Sequence, residues 1–258
     1  MITMHPFLRG PHPRAFAHRG WHIGATEGME NSLSAFRAAV TEGYRYVETD
    51  VHATSDGVVV VAHDERLDRT TDSAGAIAEL PFSAVSRAKI AGREPVCTLT
   101  ALLEELPDTF FNIDVKADAA VEPVLEALRA TKAYDRVCLA SFSDDRLHRL
   151  RGSGGEKLLT SMGPRAVFSL LLNSWLPVNP FGGTLAGAAA QIPPRRGLLR
   201  LVTKQLLRTA RRRGIEVHVW TIDGKPEMTE LLDLGVDGLV TDAPDVLRAV
   251  LRERGMWH

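Results

Sequence analysis

The residues best equipped for chemistry lie in one stretch, Tyr46–Asp64 (YVETDVHATSDGVVVVAHD). In its first half Glu48, Asp50 and His52 alternate with Val47, Thr49 and Val51. That period of two puts both carboxylates and the imidazole on one face of a β-strand. Ser55-Asp56-Gly57 is turn chemistry and Val58–Ala62 is a β-branched run, so the second half reads as the returning arm of a hairpin. Folding the arms about Asp56-Gly57 brings His63 opposite Asp50. Two like charges on one inward face repel unless a cation or base offsets them. The stretch is therefore expected to supply a metal site beside a proton-transfer group.

Such groups need a scaffold that aims them, and strand-like and helix-like runs alternate almost to the end of the chain. The predicted strands are 15–20, 46–54, 110–116, 137–142, 158–162, 188–192, 216–222 and 238–241, with 58–64 set aside as the antiparallel arm. The predicted helices are 33–42, 99–106 with Thr98 as N-cap, 121–132, 144–150, 167–175, 198–213, 227–234 and 245–254. Residues 65–95 form a turn-rich connection that cannot be regular throughout. Eight such units in 258 residues predict an α/β fold, a (β/α)8 TIM barrel with an extra hairpin strand after strand two, as a single domain over the whole chain. A doubly wound open sheet would normally carry a glycine-rich phosphate turn after its first strand, and the sequence has none. Barrel enzymes keep their active residues at the C-terminal strand ends. Polar residues collect at those ends here: His18-Arg19, then Glu48, Asp50 and His52, then Asp114 and Lys116, and later Ser141, Gln191, Trp220 and Asp242.

The segments AHRG (Ala17–Gly20), EN (Glu30-Asn31), ETD (Glu48–Asp50), DGVVVVAHD (Asp56–Asp64) and NIDVK (Asn112–Lys116) occur in this order. With VWTID (Val219–Asp223) and TDAP (Thr241–Pro244) they resemble the glycerophosphodiester phosphodiesterase family, over nearly the whole chain. The resemblance implies a (β/α)8 barrel with a hairpin after strand two, in agreement with the strand count. It also implies a site. His18 and His63 match the family's acid and base pair. Arg19 matches its phosphate-contacting arginine, Glu30 the acidic residue of its PEN motif, and Trp220 an aromatic near the substrate's glycerol. Glu48 and Asp50 match two carboxylate ligands of a divalent cation. Asp114 falls where the family usually has a third, a glutamate, and Lys116 matches the lysine beside it.

The residue types suit that chemistry. Cleaving a phosphodiester needs cations on the non-bridging oxygens, a base for the nucleophile and an acid for the departing alkoxide. An all-oxygen set suits Mg²⁺ or Ca²⁺ rather than zinc. Arg19 is a planar fork fitted to phosphate, Lys116 a point charge beside it, and two histidines can share the acid and base roles. The expected activity is metal-dependent hydrolysis of glycerophosphodiesters to an alcohol and sn-glycerol 3-phosphate. A lysophospholipase D would run the same chemistry on membrane-derived lysophospholipids. A metal-dependent aldolase or isomerase barrel also uses carboxylate ligands and a histidine, but has less use for the Arg19 and Lys116 pair. Three departures from the family pattern stand out. Asp114 is one methylene short, Met29 and Ser32 replace a proline and a threonine, and the loop Trp21–Met29 is longer than usual and carries His22 and Glu27 near the site.

Bulk properties narrow the field. A 45% hydrophobic and 24% charged composition is that of a globular protein. A net charge of −1 argues against a general nucleic-acid binder. Cys97 and Cys138 form no CxxC motif. Met1–Arg14 lacks the apolar core of a signal peptide and no run is long enough to span a membrane, so a cytoplasmic location is expected. Ala166–Trp175 with the Pro/Gly-rich segment Leu176–Gly187, and the basic spacing Arg200, Lys204, Arg208 and Arg211 or Arg212, are candidate lipid-facing features. A transient membrane contact would follow if both lay on the barrel's mouth side.

Overall fold

In the computed structural model, which describes residues 4–175 and 185–258, eight parallel strands form the barrel wall. They are β1 (Arg14–His18), β2 (Tyr46–Ala53), β3 (Phe110–Val115), β4 (Val137–Ala140), β5 (Leu159–Thr160), β6 (Ala189–Ile192), β7 (Glu216–Val219) and β8 (Gly238–Thr241). Their hydrogen-bonded order is β5-β4-β3-β2-β1-β8-β7-β6. The seam between β5 and β6 is closed by a Ser161–Ala189 bridge, with Ala188 N donating to Thr160 O and Met162 N to Ala189 O, both at 2.8 Å. Gly187 permits this approach: its φ is +118° and a Cβ there would meet Ser161 C at 2.6 Å.

Helices cover the wall. They are α1 (Leu33–Thr41), α2 (Leu99–Glu105), α3 (Val121–Ala130), α4 (Asp144–Gly154), α5 (Pro164–Trp175), α6 (Lys204–Arg212), α7 (Lys225–Leu234) and α8 (Pro244–Glu253). Side-chain oxygens of Ser32, Thr98, Ser143 and Thr203 accept a backbone N–H three residues on and so start α1, α2, α4 and α6. The strand positions that pack beneath the helices are apolar, as Val47, Val51, Phe111, Ile113 and Leu139 illustrate. Two apolar layers separate wall from helices. One holds Phe36, Leu102, Leu125 and Leu147, the other Leu206, Leu231 and Leu247. Cys138 joins Phe7, Phe16 and Tyr46 in a further buried cluster, where burial pushes its thiol up to about 12.

Two expectations need correction. The arm Val59–Val61 pairs antiparallel with β2 in the register Val51↔Val61, His52↔Val60 and Ala53↔Val59. Ala62, whose N–H donates to Asp50 O at 3.0 Å, therefore faces Asp50, and His63 does not. The turn uses three residues, Ser55–Gly57, closed by Thr54 N to Val58 O at 3.0 Å. A two-residue turn about Asp56-Gly57 would shift the register by one. The run 198–213 is not one helix: Arg195-Arg196 and Leu199-Arg200 form a short antiparallel hairpin, and α6 starts only at Lys204. Arg200 thus leaves the helical stripe, while Lys204, Arg208 and Arg212 stay on the exposed face of α6. Most of the Pro/Gly-rich segment, 176–184, lies outside the described residues.

At the N-terminal face of the barrel, Arg14 is buried and donates to Glu216 at 2.8 and 2.7 Å, to Tyr46 Oη at 2.7 Å and to Leu8 O at 2.6 Å. His12 and His218 each bond Glu216 at 2.9 Å. Together these charges close the bottom.

Candidate active site

Strand register builds the site at the opposite end. Parallel pairing sets His18 beside Glu48 on β1 and β2, and Asp50 beside Asp114 on β2 and β3. All share the alternation that faces the barrel axis. His18 Nε2 lies 3.6 Å from Glu48 Oε2. Arg19 follows with φ at +54°, its backbone N–H on Glu48 O at 2.9 Å. Gly20 comes next because a Cβ there would meet the Ala35 carbonyl carbon at 2.8 Å. This backbone turns the Arg19 guanidinium back over Asp50, Nε to Oδ2 at 3.3 Å, and onto Glu30 Oε1 at 2.8 Å. Asn31 donates to Asp50 Oδ2 at 3.3 Å and accepts from Thr49 at 2.8 Å. Lys116 Nζ stands between Asp50 Oδ1 at 2.8 Å and Asp114 Oδ2 at 2.7 Å, and 5.9 Å from the centre of the Phe142 ring.

The charges are not balanced. Among the described residues, the buried atoms Glu48 Oε2, Asp114 Oδ1 and Arg19 Nε have no hydrogen-bond partner. Burial, with Asp50 nearby, pushes the Glu48 carboxyl up to about 8. Burial also raises Asp114, although Lys116 opposes it. Burial alone would lower His18 and Lys116, but their carboxylate neighbours overcome it and both are raised. Orphaned carboxylate oxygens in a low-dielectric site are costly unless something cationic meets them. As they stand, no three His, Cys, Asp or Glu side chains among the described residues close on one point, because Lys116 fills the space between Asp50 and Asp114. The oxygen donor set, with the orphaned Glu48 Oε2 and Asp114 Oδ1, is nevertheless of the kind that suits a hard divalent cation.

Each histidine has its own aspartate. His18 Nδ1 is 2.6 Å from Asp242 Oδ1, and His63 Nδ1 is 2.6 Å from Asp64 Oδ1. Arg69 grips Asp64 at 2.6 Å and Glu30 at 2.7 and 2.9 Å. One chain of ion pairs thus runs from His63 through Asp64, Arg69, Glu30 and Arg19 to Asp50. Both oxygens of Glu30 are taken by arginines, which hold it below the usual carboxylate range against the effect of burial. Hydrogen bonds from Arg69 and His63 lower Asp64, and those from His18 and His22 lower Asp242 despite burial.

His22, from the long loop, reaches Asp242 at 3.0 Å, while Glu27 is exposed. His52 turns to His63 O at 3.1 Å and burial lowers it. Trp220 is half-buried and packs edge-on against exposed Phe142 at 5.8 Å. Gln191 donates to Asn112 at 2.7 Å. Sequence reasoning passed over Asp64, Arg69, Asn31 and Phe142 as participants. Asp64 and Asn31 stood inside the HD and EN segments, and Asp242 inside TDAP. Arg69 lies in an irregular connection with no periodicity to mark it.

The sequence model of the Glycerophosphoryl diester phosphodiesterase family matches residues 18–246. A protein of Mycobacterium tuberculosis named "Probable glycerophosphodiester phosphodiesterase 2" is 36% identical over 258 residues, covering 97% of this chain and 95% of its own. The glycerophosphodiester phosphodiesterase of Caldanaerobacter subterraneus is 30% identical, covering 93% and 98%. Among solved structures, an Oleispira antarctica phosphodiesterase in complex with the product sn-glycerol-3-phosphate superposes with a TM-score of 0.77 at 22% identity, covering 93% and 97%. That likeness concerns the fold.

Proposed function

The chain belongs to the glycerophosphoryl diester phosphodiesterase family, and on that premise we propose that it is a metal-dependent hydrolase cleaving glycerophosphodiesters to an alcohol and sn-glycerol 3-phosphate. The observation that carries this reading is a pair of histidines, each held by its own aspartate, beside a buried and underpaired carboxylate set. Glu48, Asp50 and Asp114 would hold the cation, Mg²⁺ or Ca²⁺, which when bound offsets negative charge on the phosphate oxygens. Arg19 Nε, buried 3.3 Å from Asp50 Oδ2 but without a hydrogen-bond partner among the described residues, would meet a phosphate oxygen, and Lys116 would share that anion once Asp50 and Asp114 are otherwise neutralised.

His18, raised by Glu48 and Asp242, takes the role of proton donor to the departing alkoxide. His63, oriented through Nδ1 by Asp64, presents its other nitrogen as the base that takes the proton of the attacking hydroxyl. Glu30 is a positioning residue, locked between Arg19 and Arg69. Trp220 and Phe142 form an apolar wall suited to the glycerol carbons.

The test is direct. Purified protein with Mg²⁺ or Ca²⁺ should release sn-glycerol 3-phosphate from glycerophosphocholine, and EDTA should abolish the release. Undiminished turnover in EDTA would overturn the metal assignment. Turnover confined to lysophosphatidylcholine would move the substrate to lysophospholipids. Proton exchange into a keto acid without diester cleavage would select an aldolase or isomerase instead.

A further inference from the structure

No aspartate or glutamate occurs from Lys157 to Ile215, yet that stretch holds ten lysines and arginines, in a chain whose net charge is −1. The sequence has therefore sorted positive charge onto one sector of the barrel. That sector includes the hairpin Arg195-Arg196/Leu199-Arg200, turned by Gly197 at φ +60°. At its tip Leu198 is fully exposed and Leu199 half exposed, and Arg195 and Arg196 are exposed beside them.

The hairpin is firmly rooted. Leu201 N donates to Pro194 O at 3.0 Å, and Arg200 pairs with Glu230 at 2.5 Å. It leaves β6 beyond Ile192, the C-terminal end of that strand, so it stands on the same rim as the candidate site. Trp220 N donates to Ile192 O at 3.3 Å, which ties the hairpin's root to the aromatic wall of Trp220 and exposed Phe142.

A leucine at the tip of a hairpin in water gains nothing from exposure, and the exposed arginines beside it, which pair with no carboxylate among the described residues, attract anions. A lipid surface with anionic head groups satisfies both at once. The leucines enter the boundary between head groups and acyl chains, and the arginines meet phosphates. A nucleic acid would instead ask for aromatic stacking platforms, and the tip offers aliphatic side chains.

We propose that the hairpin Arg195–Arg200 docks the barrel, mouth first, on an anionic phospholipid surface. Lys204, on the first turn of α6, extends the basic rim behind it. Docking there sets the candidate site against the layer from which a lipid-derived phosphodiester is released. The proposal stands apart from the hydrolytic reading, because binding and turnover are measured separately.

The test is flotation of the whole chain with vesicles of phosphatidylglycerol and phosphatidylcholine in equal parts, compared with phosphatidylcholine alone. Glycerophosphocholine turnover and thermal unfolding serve as controls. The chain should float with the anionic vesicles only, and less so as salt rises. Arg195→Ser with Arg196→Ser should weaken binding about thirtyfold, and Leu198→Ala with Leu199→Ala about tenfold, with unfolding and soluble turnover unchanged. Equal binding to both vesicle types, or anionic binding that neither double variant weakens, overturns the proposal. So does self-association that these variants abolish in the absence of vesicle binding, since that outcome assigns the face to a second copy of the chain.

Discussion

The two ends of the barrel are built from the same kinds of residue and differ in how fully those residues are paired. At the bottom, Glu216 receives Arg14, His12 and His218, and these hydrogen bonds carry it well below the usual carboxylate range despite burial. At the mouth, Glu48 has a buried oxygen without a hydrogen-bond partner among the described residues and is pushed up to about 8. Arg14 is spent on intramolecular acceptors, whereas Arg19 Nε, 3.3 Å from Asp50 Oδ2, makes no hydrogen bond among the described residues. At the bottom every Arg14 nitrogen and both Glu216 oxygens are engaged, although the buried His218 Nδ1 has no hydrogen-bond partner among the described residues, and the cluster ties the segment before β1 to the barrel. The mouth is left electrostatically incomplete, which is what the proposed binding of an anion and a cation requires.

The sharpest way to test this contrast is to remove one group from each end. His18→Ala or His63→Ala should lower kcat about 10²- to 10⁴-fold with the unfolding curve unchanged. Full activity in either variant would sink the acid–base assignment. Asp242→Asn should give a loss of kcat at the lower end of that range, about 10²-fold, because it frees the His18 ring and its tautomer while KM stays near its parent value. An unchanged pH–rate profile would reduce Asp242 to a packing role. Arg14→Met should do the reverse of these, costing about 3–5 kcal/mol of stability by stranding Glu216 in a part-buried site. Activity per folded molecule should survive, and a urea titration beside an active-site titration separates the two readouts.

The smallest effect is the pH slope, and it has opposite signs at the two ends. Glu216 titrates below its ordinary value in the folded chain, so its stabilisation is present above the ordinary carboxylate range and is lost as pH falls below it. Glu48 is raised from 4.5 to about 8, so its favourable contribution is present below 4.5 and is lost as pH rises through about 8. In EDTA, stability should therefore sag towards alkaline pH, and Mg²⁺ or Ca²⁺ should remove that sag. A slope unaffected by metal, or unaffected by Glu48→Gln, would show that Glu48 does not carry it.

Much of this was legible in the sequence. Alternation in Tyr46–Ala53 showed which face Glu48 and Asp50 take, and seven of the eight barrel strands fall within runs that patterning marks, β1 starting one residue earlier at Arg14. What escaped had physical reasons. The register of the Val59–Val61 arm depends on whether two or three residues make the turn, which Ser55-Asp56-Gly57 does not declare. The hairpin at Arg195–Arg200 hides in a sequence whose apolar and basic spacing also suits a helix. Gly197 and the Pro194 carbonyl decide against it. Pairings such as Arg69 with Glu30 and Asp64 join segments far apart in the chain and leave no periodic trace.

One seam of the wall differs mechanically from the rest. Strands β2 and β3 share six paired positions, whereas β5 and β6 meet through the Ser161–Ala189 bridge where Gly187 lacks a methyl. The joint with the fewest paired positions therefore lies between β5 and β6, on the side from which the basic hairpin rises. The β1–β3 arc, which carries Glu48, Asp50 and Asp114, is by contrast laddered over three and six paired positions, so the candidate site's carboxylates stand on the most fully stitched pair of strands in the wall.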